Sequence, residues 1–251
     1  MEEWYHYLLL IGVGFAVGFI NTVAGGGSLI SLPVLIFLGL PPAVANVTNR
    51  VSIVIQTATA TAGFKSKGVS TFPFNAYLGV SALVGAIIGA RIAVDVDGAA
   101  FNRILAIIMV VVILIIIFKP KTNLTNIQER LTGKHLWIGM IAFFFFGIYG
   151  GFINAGLGFI MIFFLHYFNH MTLVRANATK VAVVFTYMLS ALIVFALNDK
   201  VEWSIGLVLA IGNASGAWIS SRVSVKKGDT FIRTFLVIMV AVMAVKLWFF
   251  T

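Results

Sequence analysis

The chain contains no cysteine. Disulfides, thiolate nucleophiles and cysteine-ligated metals are therefore excluded. Acidic side chains are scarce as well: there are eight Asp and Glu in 251 residues, and none lies deep inside an apolar segment. A carboxylate proton relay within a membrane has no obvious residue. A metal-dependent intramembrane hydrolase lacks its usual ligands, because His6, His135, His166 and His170 all sit near predicted segment ends. The i, i+4 pair His166 and His170 reads more simply as interfacial than as a metal site. Charge of either sign is thin at 10% of residues, against about 25% in a soluble domain. No ATP-binding motif is present, and no cofactor is expected. The N-terminus, MEEWYHYLLL, lacks the basic start of a secretory signal.

What fills the chain is apolar. Hydrophobic residues make up 61%, and the mean hydropathy is +1.06. The apolar runs are long and uninterrupted, unlike the short alternating segments of a transmembrane barrel. The fold class is an all-α polytopic membrane protein. The net charge of +9 does not point to nucleic acid. The basic residues stand in short loops between apolar runs, the pattern that orients a chain in a bilayer.

The stretch Asn21–Arg50, NTVAGGGSLISLPVLIFLGLPPAVANVTNR, organises the first half. Gly25, Gly26 and Gly27 break an apolar region running from about residue 5 to 40. Freed backbone groups in hydrocarbon are expensive, so such a break belongs where protein or a cavity surrounds it. The arm over 5–21 makes a helix of roughly 25 Å and the arm over 28–38 one of roughly 16 Å. The second arm cannot cross a hydrocarbon core of about 30 Å. Segments follow at about 43–63, 74–92 and 101–118, completing a first repeat over 1–118. A polar linker spans 119–135, with a surface helix expected over 123–131. A second repeat over 136–251 has a broken region at about 136–168 and segments at about 174–197, 202–222 and 231–250.

The halves echo each other. A shift of 131 carries Gly25 and Gly27 to Gly156 and Gly158, and Ala45, Asn46 and Thr48 to Ala176, Asn177 and Thr179. The same shift carries Gly85, Ala86 and Arg91 to Gly216, Ala217 and Arg222, and Phe15 to Phe146. One ungapped offset across separated segments implies an internal duplication, the usual trace of a membrane transporter.

Lys and Arg counts choose the topology. If each broken region crosses the membrane once, the 17 basic residues divide nearly evenly. If each goes in and returns as a hairpin, Lys65, Lys67, Lys119, Lys121, Arg130, Lys134, Arg175, Lys180, Arg222, Lys226, Lys227 and Arg233 share one side. Only Arg50, Arg91, Arg103, Lys200 and Lys246 face them, a ratio of twelve to five. The positive-inside rule prefers the hairpins. A hairpin plus three crossings is an odd number of passages, so the two repeats are inverted. Both termini are then expected outside the cytoplasm and the linker inside, in a cytoplasmic (inner) membrane. Inverted repeats share a site near the bilayer midplane.

The candidate substrate-binding residues are basic or neutral. They are Asn21, Gly25, Gly26, Gly27, Ser28, Asn46, Thr48, Asn49 and Arg50 in the first half, and Gly156, Gly158, Asn177, Thr179 and Lys180 in the second. A half-helix starting after a glycine break points its positive dipole end at the cavity. Ser28 supplies a hydroxyl at such a start. Together these residues suit a small anion. Arg50 and Lys180 either turn into the site or snorkel to the interfaces, and the Asn and Thr side chains either line a path or join helices. Arg91 and Arg222 read as anchors. Gly85/Gly89 and Gly216/Ser220 read as packing faces.

The run GFINTVAGGGSLISLPVLIFLGLPPAVANVTN resembles the sulfite exporter TauE/SafE family, also called the toluene sulfonate uptake permease family. GGFINAGLGFIMIFFL, followed by RANATK, is similar to that family's second repeat. The resemblance covers essentially the whole chain. It implies a bacterial or archaeal permease for sulfite, thiosulfate, sulfonates or related organic acids. Its signatures fall on Asn21, Gly25, Gly26, Gly27, Ser28, Pro33, Thr48 and Asn49, then Gly151, Gly156, Gly158, Asn177, Thr179 and Lys180. The leading expectation is a secondary transporter working by alternating access, not an enzyme. An anion channel is the first alternative and an intramembrane lipid-phosphate enzyme the second. The expected partners are the anion and the lipid bilayer, with a homodimer left open.

Overall fold

A computed structural model describes residues 4–95, 128–198 and 201–250. The segment expected at about 101–118 and most of the linker lie outside the described residues. Those described form eight helices: α1 (Trp4–Val23), α2 (Ser28–Phe37), α3 (Pro42–Lys65), α4 (Phe74–Asp95), α5 (Gly133–Phe152), α6 (Leu157–Tyr167), α7 (Leu173–Ala196) and α8 (Trp203–Phe250). No strand occurs among the described residues.

Among the described residues, five helices are long and apolar enough to cross a membrane: α1, α4, α5, α7 and α8. In α4 the two faces are sharply different. Leu78, Ala82, Ala86, Ala90 and Ala93 are buried, while Tyr77, Val80, Val84, Ile88 and Ile92 are exposed. In water the second stripe would be a liability; against lipid tails it is the expected surface. α3 is 24 residues long but is not among the five, because it carries Asn46, Thr48, Asn49, Arg50, Ser52, Gln56 and Thr57. All seven are buried, so its polarity faces the protein interior.

The chain turns back at both breaks. Leu10 of α1 shares a buried cluster with Leu35 of α2 and with Leu40. In the second half, His135 at the start of α5 lies 5.5 Å from Phe168, just past the end of α6, and Phe164 packs on Phe143 and Phe146. α2 and α6 have only 10 and 11 residues, about 15–17 Å of helix. The backbone at the breaks requires unusual conformations: φ is +90° at Gly25, +72° at Gly156 and +65° at Asn154. Glycine adopts this region without strain, and Asn is among the few other residues found there.

The long helices pair across the halves, α1 with α8 and α4 with α5. Backbones meet at glycine. A Cβ at Gly212 or Gly216 would overlap Ile11, Phe15 or Phe19 of α1, and one at Gly85 or Gly89 would overlap Phe144, Ile148 or Phe152 of α5. Two points of the sequence reading change here. The close-packing face in α8 begins a turn earlier than expected, at Gly212, and includes Gly216, with Ser220 also fully buried. The echo also does not keep one offset. A shift of 133 carries Phe15 and Phe19 to their counterparts Ile148 and Phe152, and 127 carries Gly212 and Gly216 back to Gly85 and Gly89. The first break is two residues longer than the second, which resets the register at 131 for α3 and α7.

Two further expectations differ. The loop expected after residue 222 is helical, and α8 continues to a single non-helical residue, Gly228, with φ 70° and ψ −166°. Beyond it the Asp229 carboxylate accepts from the N–H groups of Leu173 (2.8 Å) and Val174 (3.0 Å), capping α7. Of the surface helix expected over 123–131, residues 128–131 are described and are not helical. Arg130 instead donates its backbone N–H to Asn169 O at 2.9 Å and accepts from Asn169 Nδ2 at 2.8 Å.

Candidate functional site

The two breaks meet at the centre. A Cβ at Gly25 would overlap the backbone of Gly158, and one at Gly158 would overlap Gly25. Only glycine at both positions lets the chains approach this closely. Beside the contact is a narrow cavity lined by Asn21, Gly25, Gln56, Thr57, Asn154, Gly158, Lys180, Val181 and Val184.

Two buried cations flank this centre. Arg50 is 1% exposed and Lys180 2% exposed, so neither snorkels. Each reaches from the third helix of its own half to the end of the first helix of the other. Arg50 spreads its guanidinium over the last carbonyls of α5, donating to Gly150 O (3.0 Å), Gly151 O (2.8 Å) and Phe152 O (3.0 Å). Its charge also stands 4.8 Å from the centre of the Phe195 ring. Lys180 Nζ donates to Asn21 O (2.9 Å) and Thr22 O (3.0 Å) at the end of α1, and to Asn177 Oδ1 (2.8 Å). The last carbonyls of a helix have no intrahelical partner and carry partial negative charge, so a cation there satisfies both needs. The asparagines repeat the pattern. Asn46 Nδ2 donates to Phe152 O at 3.0 Å and Asn177 Nδ2 to Val23 O at 2.9 Å.

The cations are not equivalent with respect to the cavity. Lys180 lines it; Arg50 does not. Around the cavity the remaining polar groups are neutral. Asn21 Nδ2 donates to Gln56 Oε1 (2.8 Å), and Asn21 Oδ1 accepts from Gly27 N (3.3 Å). Opposite, the Tyr187 hydroxyl donates to Asn154 Oδ1 (2.6 Å). Gly158 lies in the first turn of α6, so the positive end of that short helix faces the same space.

Other candidates sit elsewhere. Asn49 Nδ2 reaches Ser28 Oγ at 3.5 Å beside the first break. Thr48 and Thr179 point away from the cavity. Thr48 Oγ1 accepts from the Glu202 N–H at 3.1 Å, and Thr179 Oγ1 bonds Thr71 Oγ1 at 2.9 Å, each pinning a loop of the opposite half. Gln56, Thr57, Asn154 and Tyr187 were missed by the sequence reading. The signal was present: Gly18-Phe19-Ile20-Asn21 recurs as Gly151-Phe152-Ile153-Asn154, and Gln56 and Tyr187 are 131 apart. A single ungapped offset hid the first repeat.

A helical protein with lipid-facing stripes and a polar central cavity between two broken helices is built as a multi-pass membrane transporter. The family model for the sulfite exporter TauE/SafE matches residues 10–247. The chain therefore belongs to the TauE/SafE family of membrane transporters. It is 30% identical over 239 residues to a probable membrane transporter protein of Haemophilus influenzae, covering 95% of this chain and 93% of that one. It is 31% identical over 243 residues to the probable membrane transporter protein YfcA of Escherichia coli K12, covering 95% and 90%. A Sinorhizobium relative, the probable membrane transporter protein ORF9, is 27% identical over 245 residues, covering 97% and 93%. No solved structure matches the chain.

Proposed function

We propose that this transporter moves a small anion, sulfite, thiosulfate or a short organosulfonate, by alternating access of two inverted repeats about the central cavity. The observation that carries the reading is the Lys180 ammonium at the cavity wall, with no carboxylate among the lining residues. An anion leaving water needs donors and a counter-charge. Asn21, Gln56, Asn154, Thr57 and the first turn of α6 supply the former and Lys180 the latter. The exchanged packing of α1 on α8 and α5 on α4 supports the inverted arrangement, with the two short arms as re-entrant hairpins. On the basic-residue count, the ends of α3 and α7 marked by Lys65 and by Arg175 face the cytoplasm, in an inner membrane.

The geometry suggests how binding is coupled to movement. An ammonium has three N–H donors, and Lys180 commits all three to Asn21 O, Thr22 O and Asn177 Oδ1. An entering anion competes with the end of α1 for them. Occupancy of the cavity thereby loosens the tie between the two halves. Purified protein in liposomes, offered sulfite, sulfate, thiosulfate, taurine, isethionate, sulfoacetate and simple carboxylates, tests the reading. Saturable uptake of at least one sulfur anion is expected. Unitary currents would replace the carrier by a channel, and uptake of cations or neutral solutes only would overturn the anion assignment.

A further inference from the structure

The α4 and α8 helices occupy matching places in the two halves, yet their buried faces differ. The α4 face is Ala82, Ala86, Ala90 and Ala93. The α8 face carries Asn213, Ser220, Ser221 and Ser224, all 0% exposed. At the shift of 127 the glycine contacts define, Asn213 stands where α4 has Ala86, and Ser220 where it has Ala93. Neither amide atom of Asn213, nor the hydroxyl of Ser224, has a hydrogen-bond partner among the described residues. An unpartnered amide buried in a membrane protein is costly, and native structures rarely keep one without water or a ligand to satisfy it.

The stripe lies where α8 packs on α1, a Cβ at Gly14 or Gly18 overlapping Asn213, and on α3, which runs parallel to α8. Thr48 meets Glu202, and a Cβ at Gly206 would overlap Val51. Further along, Gly63 abuts Ser221, and Arg222 donates to Ser66 Oγ at 3.3 Å. Interpolating between these contacts sets Asn213 level with Thr57, which itself lines the cavity. From there the stripe descends about 16 Å to an end marked by Lys65, Lys67, Arg222, Lys226 and Lys227.

We propose that the Asn213–Ser224 stripe of α8 is the route by which a small hydrated anion passes between the central cavity and this basic end, while the alanine face of α4 stays dry. The proposal rests on the anion-transport reading. The orphaned amide and hydroxyl are partnered by water or by the anion when α8 parts from α1 and α3. The basic side chains at the mouth concentrate anions there.

Cysteine scanning tests the route directly, because the chain has no cysteine of its own. N213C, S220C and S224C are compared with A86C and A93C in vesicles. The probe is sulfonatoethyl methanethiosulfonate, a small impermeant anion, applied from the side at which K227C reacts. A route open even in a minor conformer is expected to make the α8 cysteines react at least about tenfold faster than the α4 ones. Labelling of all five after denaturation shows that each thiol is reactive. Folded, monodisperse S220C and S224C that stay as unreactive as A93C would overturn the route. Equal reactivity of both helices would overturn its asymmetry. The assay needs no substrate, so a labelled stripe in a protein that takes up no anion would refute the transport reading and leave the hydrated route standing.

Discussion

Arg50 and Lys180 begin alike: a base well inside an apolar segment, two helices after a break. Each ends on the exposed carbonyls of the other half's first helix. The difference lies in where each stands relative to the cavity. The Arg50 fork takes three carbonyls and rests against Phe195, and it is not part of the cavity lining. Lys180 takes two carbonyls and one amide and stands in the cavity wall. A planar, permanently charged guanidinium suits a fixed clasp; a compact ammonium on a flexible stem exchanges partners more readily. At the shift of 131 Arg50 matches Val181 and Lys180 matches Asn49, so the two bases stand one residue out of register, and only Lys180 lines the cavity.

The largest effects are expected where both halves touch. Gly25→Leu or Gly158→Leu drives a side chain into opposing backbone, which yields less easily than a side chain. Overpacking costs typically 1–3 kcal/mol per site, and here we expect about 3 kcal/mol or more, read as loss of monodisperse protein in size-exclusion chromatography. Gly12→Ala, where a Cβ meets nothing within 4 Å, is the control. A well-behaved Gly158→Leu protein would contradict the central contact.

Next come the cations. Arg50→Ala orphans carbonyls at about 1–3 kcal/mol each, so its main effect is expected on thermal stability, with Arg50→Lys recovering part. Lys180→Ala should lower stability less, but weaken anion binding by about tenfold to a hundredfold, corresponding to roughly 1.5–3 kcal/mol. Lys226→Ala, a charge change on an exposed residue, should leave affinity nearly unaltered. Isothermal titration of folded variants decides: an Arg50→Ala protein losing as much affinity as Lys180→Ala would erase the distinction between clasp and site.

Smaller changes sharpen it. Tyr187→Phe removes one hydrogen bond to Asn154 and should cost about 1 kcal/mol of stability, with a shift in selectivity among anions visible in competition uptake. Smallest is Thr48→Val or Thr179→Val, at about 0.5–1.5 kcal/mol each. Both residues hold loops, so unchanged affinity is expected; a drop of tenfold in either would return the threonines to the substrate path.

Of the residues lining the cavity, Asn21, Gly25, Gly158 and Lys180 were singled out in the sequence, for definite reasons. Three consecutive glycines in an apolar run have no place facing lipid, and Gly25, Gly156 and Gly158 do form the breaks and their contact. Asn46 and Asn177 stood out because a polar residue repeated inside a membrane segment needs a partner, and they hold Phe152 O and Val23 O outside the cavity lining. Thr48 and Thr179 repeat as faithfully, yet lie on another face of their helices. Gln56 and Tyr187 were overlooked because an amide and a phenol at equivalent positions do not look like a repeat.

By itself, the sequence determined the membrane class, the family and the two breaks, because transfer free energy and backbone conformational freedom act locally and leave local signatures. It also determined that no Asp or Glu lies deep inside an apolar segment. Only the tertiary structure decided which carbonyls Arg50 and Lys180 hold, that Gly25 meets Gly158, and that Lys180 but not Arg50 reaches the cavity. Those outcomes depend on the rotation of α3 and α7 about their axes and on the register of α1 against α8. Both are set by side-chain packing between segments more than a hundred residues apart, which no local pattern records.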